Sequence, residues 1–216
     1  MPQEKITVEI WSDIACPFCY IGKTNFEQAL KELPERDLIT VVWKSFQLTP
    51  DLKTDTSISL YESLAVSKGI SVVQARDMIA RVTQVAQHVG LEFKFDQVLV
   101  ANTRNAHRLL HEARKHGVQN NLKHALLQGY FTDGKNIDAP ETLRELAIAA
   151  GIDPERASSV INSDEHSEDV LKDIQEARDL GVSGVPFFVF DRKRAISGAQ
   201  PAAAFSDVLQ KIVSEY

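Results

Sequence analysis

Apolar and polar residues alternate with two different periods along this chain. Residues 6–11 and 39–46 are rich in β-branched and aromatic residues that alternate with polar ones, which predicts two strands. Between them, residues 17–33 have the spacing of a helix. A strand, a helix and a strand in succession predict two parallel strands joined by the helix.

The pattern becomes helical from about residue 57 to residue 180, where apolar residues recur every three or four positions. Ser71, Asp138 and Asp153 each stand where a helix-capping residue is expected. These signals predict a succession of capped helices in the middle of the chain.

The last part of the chain returns to strands. Residues 186–190 form a continuous apolar run, residues 195–197 follow a short polar turn, and a helix is predicted over 201–214. The complete order, β-α-β, a helical block, then α-β-β-α, is typical of an α/β thioredoxin-like sheet with a large helical insertion. We therefore predict a discontinuous thioredoxin-like domain over 1–56 and 165–216, and an insertion over 57–164.

The chain contains two cysteines, and both lie at the start of the first predicted helix, as Cys16 and Cys19. Free backbone N–H groups and the helix dipole stabilise an anion at such a position. In CxxC pairs that open a helix, the thiol pKa falls from about 8.5 to roughly 3.5–7.5, and the thiolate is the attacking species in disulfide exchange. We predict that Cys16 forms the mixed disulfide with substrate and that Cys19 resolves it.

A single CxxC has two alternative explanations, a structural zinc site and a chance pair of buried cysteines. Zinc needs about four ligands, and the sequence has no second CxxC. His107 and His111 have the spacing of a metal pair but lack the Glu of an HExxH motif. We therefore predict no metal and no other resident cofactor, with the Cys16–Cys19 disulfide as the redox-active group.

Composition and charge indicate a soluble globular protein, with 44% hydrophobic and 25% charged residues. The formal net charge of −6 argues against nucleic acid and anionic membrane as main partners. The start of the sequence has no apolar stretch typical of a secretory signal, and no run is long enough to span a membrane. We expect a cytoplasmic protein, although a secreted form without its signal has the same appearance. Oligomeric state stays open.

Four stretches of the chain resemble the DsbA-like thioredoxin-fold family, and within it the FrnE-type branch of disulfide oxidoreductases. The first holds the cysteines and the third holds the apolar run before the last hairpin. They are Asp13-Ile-Ala-Cys-Pro-Phe-Cys-Tyr-Ile-Gly22, Asn102-Thr-Arg-Asn-Ala-His-Arg-Leu109, Gly181-Val-Ser-Gly-Val-Pro-Phe-Phe-Val-Phe190 and Ser197-Gly-Ala-Gln-Pro201.

This resemblance implies a thiol:disulfide oxidoreductase or isomerase that acts on proteins or peptides with thiols or disulfides. It also implies a cis bond between Val185 and Pro186, beside the cysteines. The extended Val185 then offers its backbone N–H and C=O to a substrate chain, as an added strand would. Pro17 and Phe18 are expected to present apolar surface to the substrate.

A basic stripe on one predicted helix adds a second candidate binding element. Arg104, His107, Arg108 and His111 follow one another at three- and four-residue spacing. We name His107 and Arg108 as candidate substrate-binding residues, with glutathione as a candidate co-substrate. A solvated face or a set of ion pairs explains the same spacing.

The alternative function is that of a sister branch, the 2-hydroxychromene-2-carboxylate isomerases and kappa-class glutathione transferases. Those enzymes bind glutathione, usually have serine at the first active-site position, and have Gly-x-Asp-Arg after the last strand. Here Cys16 occupies the first position, and Ala199 and Gln200 follow Gly198. Both differences favour dithiol chemistry over the isomerase or transferase. A chaperone that holds peptides without turnover is a third interpretation, against which the intact cysteine pair argues.

Overall fold

The structure is a computed structural model that describes residues 5–216. Its strands and helices, in chain order, are β1 Ile6–Ser12, α1 Pro17–Glu32, β2 Ile39–Ser45, β3 Asp55–Ser59, α2 Leu60–Lys68, α3 Val72–His88, β4 Leu99–Val100, α4 Arg104–Lys115, α5 Gln119–Phe131, α6 Pro140–Ala150, α7 Pro154–Ile161, α8 Ser167–Asp179, β5 Phe187–Phe190, β6 Arg194–Ser197 and α9 Ala202–Val213. Two 3-10 turns, Arg36–Leu38 and Phe95–Gln97, precede β2 and β4.

The chain folds as two compact units. One holds the chain up to Leu48 together with Glu168–Tyr216, and the other holds Thr49–Ser167. The second unit therefore begins eight residues before the predicted insertion of 57–164 and ends three residues after it.

The first unit is built on a four-stranded sheet in the order β2-β1-β5-β6. Strand β1 runs parallel to β2 and antiparallel to β5, and β5 pairs antiparallel with β6. Helix α1 supplies the connection that two parallel neighbours require. The predicted β-α-β and β-β-α segments are thus confirmed, and they form one mixed sheet.

One face of this sheet carries an aromatic core. Phe188 and Phe190 alternate with Phe187 and Val189 along β5, so they project to the same side. Their rings lie 5.6 Å and 6.3 Å from the ring of Phe26 on α1. Helix α9 adds Phe205, 5.7 Å from Phe26. Truncating such a buried ring to alanine typically costs about 3–5 kcal/mol, so this cluster fixes α1 on the sheet.

The opposite face packs against α8. Trp11 is fully buried with Ala177, Val182 and Val189. Its indole N–H donates to the carbonyl of Asp173 over 2.9 Å, which satisfies the polar end of a buried tryptophan. The sheet of the first unit therefore has helices on both faces, as the predicted fold class requires.

The Thr49–Ser167 unit contains helices α2–α7 and two short strands that were not predicted. Strands β3 and β4 pair antiparallel. The sequence does not signal them because β3 is mostly polar and exposed and β4 has two residues. None of the helices in the described residues is both long and apolar enough to span a membrane.

Two of the three predicted caps are confirmed. Ser71 forms a capping box with Gln74, and the Asp153 side chain accepts from the N–H groups of Glu155 and Arg156. The prediction for Asp138 is wrong, since Ala139 is the N-cap of α6. The Asp138 carboxylate instead accepts hydrogen bonds from side chains distant in sequence, those of Thr54 and Asn105.

Candidate active site

The cysteine pair lies at the end of the sheet where strand β1 finishes and helix α1 begins. Cys16 is the N-cap of α1 with extended backbone angles, φ −95° and ψ 111°. Pro17 follows at the first helical position, where a proline's fixed φ fits and its missing N–H costs nothing. Trp11 pairs with Phe187 in the antiparallel register of β1 and β5. The loop after β1 and the segment before β5 therefore lie next to each other at this end of the sheet.

At this end of the sheet, Cys16 contacts Val185 directly. The Cys16 thiol donates to the Val185 carbonyl, with 3.5 Å between Sγ and O. The bond between Val185 and Pro186 is cis, which confirms what the family resemblance implied. The Pro186 carbonyl accepts from the N–H of Gly198 over 2.8 Å, so this residue is already bound to the loop after β6.

Both cysteines are free thiols and both are buried. Cys16 has 4% of its surface exposed and Cys19 none, so Cys16 is the more accessible residue by a small margin. Next to them, Phe18 is 42% exposed and Pro17 is partly buried. The surface next to the cysteine pair therefore presents apolar groups, and substrate binding by Pro17 and Phe18 stays a prediction.

The electrostatics of Cys16 differ from the prediction. Its thiol pKa is raised well above the ordinary value, first by the hydrogen bond with the Cys19 side chain, then by burial and by the charge of Cys19, with a smaller contribution from Asp13. The backbone N–H of Cys19, at the start of the helix, acts in the opposite direction and lowers the pKa. The predicted helix effect is present, but the second thiol and burial outweigh it.

This raised pKa belongs to the pair and not to Cys16 alone. Two thiols that share a site release their protons in two steps, and the first negative charge opposes the second ionisation. One thiolate and one thiol, joined by a hydrogen bond, is the arrangement that this geometry favours after the first proton leaves.

Gly22 lies where three segments of the candidate active site meet, and the sequence patterns did not predict this contact. A Cβ atom at this position of α1 would lie 2.8 Å from Pro186 Cγ and 3.4 Å from the Cα of Ala199. One turn further along α1 is the Asn25 side chain, which donates to the Gln200 carbonyl over 2.8 Å. The sequence feature that could have indicated this contact is a glycine in a helix interior, which is unfavourable unless a neighbour approaches closely.

The two candidate residues of the basic stripe, His107 and Arg108, are buried in the Thr49–Ser167 unit. The Arg108 guanidinium donates to the carbonyls of Val160, Ser163 and Glu165, which places its donors at the end of α7. Burial lowers its pKa. Arg108 thus has a structural role, since basic side chains stabilise the free carbonyls of a helix end. Substrate binding by either residue stays a prediction.

The same unit contains a group of potential metal ligands away from the cysteines. Oxygen and nitrogen atoms of Glu112, Glu165 and His166 lie within 4.8 Å of one another. However, Arg156 donates to both carboxylates over 2.9 Å, and the His166 ring lies 2.9 Å from Glu112. Because arginine stays protonated, these contacts form an ion-pair network that a metal would have to displace.

Comparison with known proteins assigns this fold and site to a class. Residues 7–210 match the DSBA-like thioredoxin domain family. The match extends over nearly the whole chain, including the cysteine pair, the helical unit and the last hairpin. The chain belongs to the DsbA-like thioredoxin-fold family, whose structural relatives include disulfide oxidoreductases.

Individual relatives are similar over the same extent. A probable DsbA oxidoreductase from Streptomyces coelicolor is 38% identical, with a TM-score of 0.89 over 98% of this chain and 91% of that one. The uncharacterized protein YwbO from Bacillus subtilis is 24% identical over 97% of this chain and 96% of its own length. The cytosolic disulfide reductase DsbM from Pseudomonas aeruginosa shares the fold, with a TM-score of 0.70 at 14% identity over 97% of this chain and all of its own.

Proposed function

We propose that this protein is a thiol:disulfide oxidoreductase or isomerase in which the Cys16–Cys19 pair alternates between dithiol and disulfide. The observation that carries the proposal is the position of Cys16. Its sulfur lies at the start of α1, beside a second free thiol and 3.5 Å from the backbone carbonyl of Val185. A nucleophile, a resolving thiol and an extended peptide segment are the three elements that disulfide exchange needs.

In the reducing direction, the Cys16 thiolate attacks one sulfur of a substrate disulfide. A Cys16–substrate bond forms as the substrate S–S bond breaks, and the other substrate sulfur leaves as a thiolate that takes up a proton. Cys19 then loses its proton and attacks Cys16, which releases the second substrate sulfur. Two electrons pass from the enzyme to the substrate, and the Cys16–Cys19 disulfide is left. Oxidation of a substrate dithiol is the same sequence reversed. In isomerisation, a second substrate thiolate attacks the mixed disulfide, so a new substrate S–S bond forms and the Cys16 thiolate is released.

The Val185 backbone supplies the substrate-binding element of this proposal. Its carbonyl already accepts from the Cys16 thiol, so a peptide bound along Val185 is held next to the reacting sulfur. Main-chain hydrogen bonds bind an extended segment without selecting its side chains. The exposed ring of Phe18 and the partly buried Pro17 add apolar contact.

We assign the protein to the FrnE-type branch and to the cytoplasm, with thiol- or disulfide-containing proteins or peptides as substrates. DsbM, which shares the fold, is named as a cytosolic disulfide reductase and has also been solved with glutathione. Glutathione is accordingly our candidate for the small thiol that resets the pair. The chemistry requires no metal, flavin or nucleotide bound to the protein itself.

The first test is the redox equilibrium of the purified protein in graded mixtures of reduced and oxidised glutathione, read by thiol labelling and mass. We expect one reversible two-electron transition between roughly −270 and −120 mV, the range of known dithiol catalysts. If no disulfide forms between Cys16 and Cys19, the proposal is wrong.

Two single variants separate the roles of the sulfurs. Cys19→Ser retains the nucleophile but cannot resolve, so it should accumulate a mixed disulfide with a peptide disulfide. Cys16→Ser should form none and should not reduce insulin. The Cys19→Ser variant could instead conjugate an electrophile with glutathione at the wild-type rate. That result would contradict the proposal and support the transferase or isomerase alternative.

A further inference from the structure

The backbone carbonyl of Val185 faces two hydrogen-bond donors that compete for it. In the structure it accepts from the Cys16 thiol, with 3.5 Å between Sγ and O. In the function proposed above it accepts a main-chain N–H of the substrate. The state of the Cys16 thiol therefore acts on the affinity for substrate as well as on the chemistry.

The residue after Val185 offers little to a bound chain. Pro186 has no N–H, and its carbonyl already accepts from the N–H of Gly198 over 2.8 Å. Main-chain hydrogen bonds to a substrate at this point of the segment therefore depend on Val185. A donor that occupies the Val185 carbonyl weakens such binding directly.

The competing hydrogen is present only while Cys16 is a protonated thiol. A thiol carries one hydrogen, so a Cys16 sulfur that donates to Val185 must be the acceptor in its hydrogen bond with the Cys19 thiol. Loss of the Cys16 proton removes the donor, and so does formation of the bond between the two sulfurs. In both cases the Val185 carbonyl is released.

The strand pairing beside this contact does not involve the thiol. Trp11, five residues before Cys16, pairs with Phe187, two residues after Val185, in the antiparallel register of β1 and β5. The sheet therefore holds the backbone of both segments whether or not Cys16 carries its hydrogen. A substrate N–H can replace the thiol hydrogen without a rearrangement of the fold.

We propose that the Cys16 thiol is a redox-sensitive switch on substrate binding: an extended peptide binds more tightly when Cys16 is a disulfide or a thiolate than when it is a thiol. After a substrate dithiol has been oxidised, Cys16 regains its hydrogen, which returns to Val185 and weakens the binding of the product. In the reducing direction, the proton loss that creates the nucleophile also releases the carbonyl for the substrate. This regulation rests on the proposed disulfide exchange, because it needs a pair that alternates between dithiol and disulfide.

Binding of S-methylated insulin B chain to the full-length protein, measured by fluorescence anisotropy, tests the inference. This probe is a flexible chain without thiol or disulfide, so it can bind but cannot exchange. The dithiol protein is compared with the disulfide form, which arises when one oxidised glutathione takes up two electrons and two protons and leaves as two reduced glutathiones. A carbonyl can accept two hydrogen bonds, so the thiol weakens binding without abolishing it. We expect the disulfide form to bind roughly two- to tenfold more tightly, the effect of one hydrogen bond. Equal affinities, or no saturable binding by either form, overturn the inference.

Two variants separate the thiol hydrogen from the other differences between the two forms. Cys16→Ser retains a hydroxyl that can donate to the Val185 carbonyl, whereas Cys16→Ala retains no donor, and neither can form the disulfide. Cys16→Ala should bind the probe roughly two- to tenfold more tightly than Cys16→Ser. Its affinity should not respond to oxidised glutathione, which makes it the control for the wild-type comparison. Equal affinities in the two variants contradict the role of the hydrogen.

Linkage between binding and redox state supplies an independent check. A ligand that binds the disulfide form more tightly must shift the redox equilibrium toward that form by the same factor. Saturating S-methylated B chain should therefore shift the equilibrium with glutathione toward the Cys16–Cys19 disulfide by the factor measured in binding. If the disulfide forms but the probe neither prefers it nor shifts the equilibrium, the switch is refuted and the disulfide exchange stands. If no disulfide forms, both are refuted.

Discussion

Replacing Gly22 by alanine tests whether the close approach of α1 to Pro186 determines the geometry of the active site. A Cβ at position 22 would lie 2.8 Å from Pro186 Cγ, 3.4 Å from the Ala199 Cα and 3.5 Å from Phe188 Cζ. Carbon atoms make favourable contacts at about 3.5–4.0 Å, so Pro186 or α1 must move by at least about 0.7 Å. Because Val185 precedes Pro186, this movement also displaces the carbonyl that contacts Cys16.

The magnitude follows from two opposing effects. Alanine is favoured over glycine in a helix interior by about 1 kcal/mol. An extra carbon in a well-packed site costs typically about 1–3 kcal/mol. The free energy of unfolding of Gly22→Ala should therefore change by between zero and about −2 kcal/mol. Turnover should fall further, by about tenfold to a hundredfold, since misplacing reacting groups by about 1 Å is sufficient for a hundredfold loss.

Gly129→Ala is the matched control, because Gly129 also lies within a helix, α5. There the added Cβ meets only side-chain atoms, Leu146 Cδ1 at 3.4 Å and Lys135 Cδ at 3.6 Å, which can move aside. We expect this variant to gain up to about 1 kcal/mol and to retain full activity. Urea unfolding and insulin disulfide reduction measure both quantities. If Gly22→Ala gains as much as Gly129→Ala and keeps its turnover, the steric argument is refuted.

Three further variants test the electrostatics and the helix caps. Cys19→Ala should lower the pKa of Cys16, because the side-chain hydrogen bond and the charge that raise this pKa are removed while the backbone N–H stays. Thiolate absorbance measured against pH gives the pKa. An unchanged pKa would mean that the two thiols do not interact. The hydrogen bond from Arg156 holds the pKa of Glu112 well below its usual range. The ionised Glu112 therefore stabilises the folded protein at neutral pH. This stabilisation is lost progressively as the pH falls below about 4.3, the pKa of an unperturbed glutamate. Glu112→Gln should therefore cost about 1–3 kcal/mol at pH 7 and less at pH 3 in urea unfolding, and an equal loss at both pH values contradicts this. Asp153→Ala should cost about 1 kcal/mol by the same assay, because the first turn of α7 loses two hydrogen bonds, and no loss would mean that water replaces the cap.

The first unit was predictable because its elements carry local signals. Apolar and polar residues alternate in the strands Ile6–Ser12 and Ile39–Ser45, and α1 has a cysteine N-cap and a proline at its first position. By contrast, β4 is two residues long and depends on its partner for its conformation, so no periodicity reveals it. Asp138 has the spacing of a cap, yet tertiary hydrogen bonds from Thr54 and Asn105 occupy its carboxylate. Local rules fail where contacts between distant residues decide the outcome.

The pKa of Cys16 illustrates the same limit at the active site. The sequence places this residue at the start of a helix, and from that fact alone a lowered pKa follows. It does not reveal that Cys16 is nearly as buried as Cys19 or that the two thiols interact. Both effects raise the pKa, and both depend on packing.

The meeting of Cys16 and Val185 depends on the register of β1 against β5. Val8 pairs with Phe190 and Ile10 with Phe188, and all four side chains lie in the core with α1 and α9. A slip of one residue would exchange the two faces of β5 and bring Val189 into the place of a phenylalanine. It would also move the segment before β5 by about 3.4 Å along β1, too far for the present contact between the Cys16 sulfur and the Val185 carbonyl. The phenylalanines that stabilise the core of this unit therefore also hold the candidate nucleophile against the backbone that we propose binds substrate.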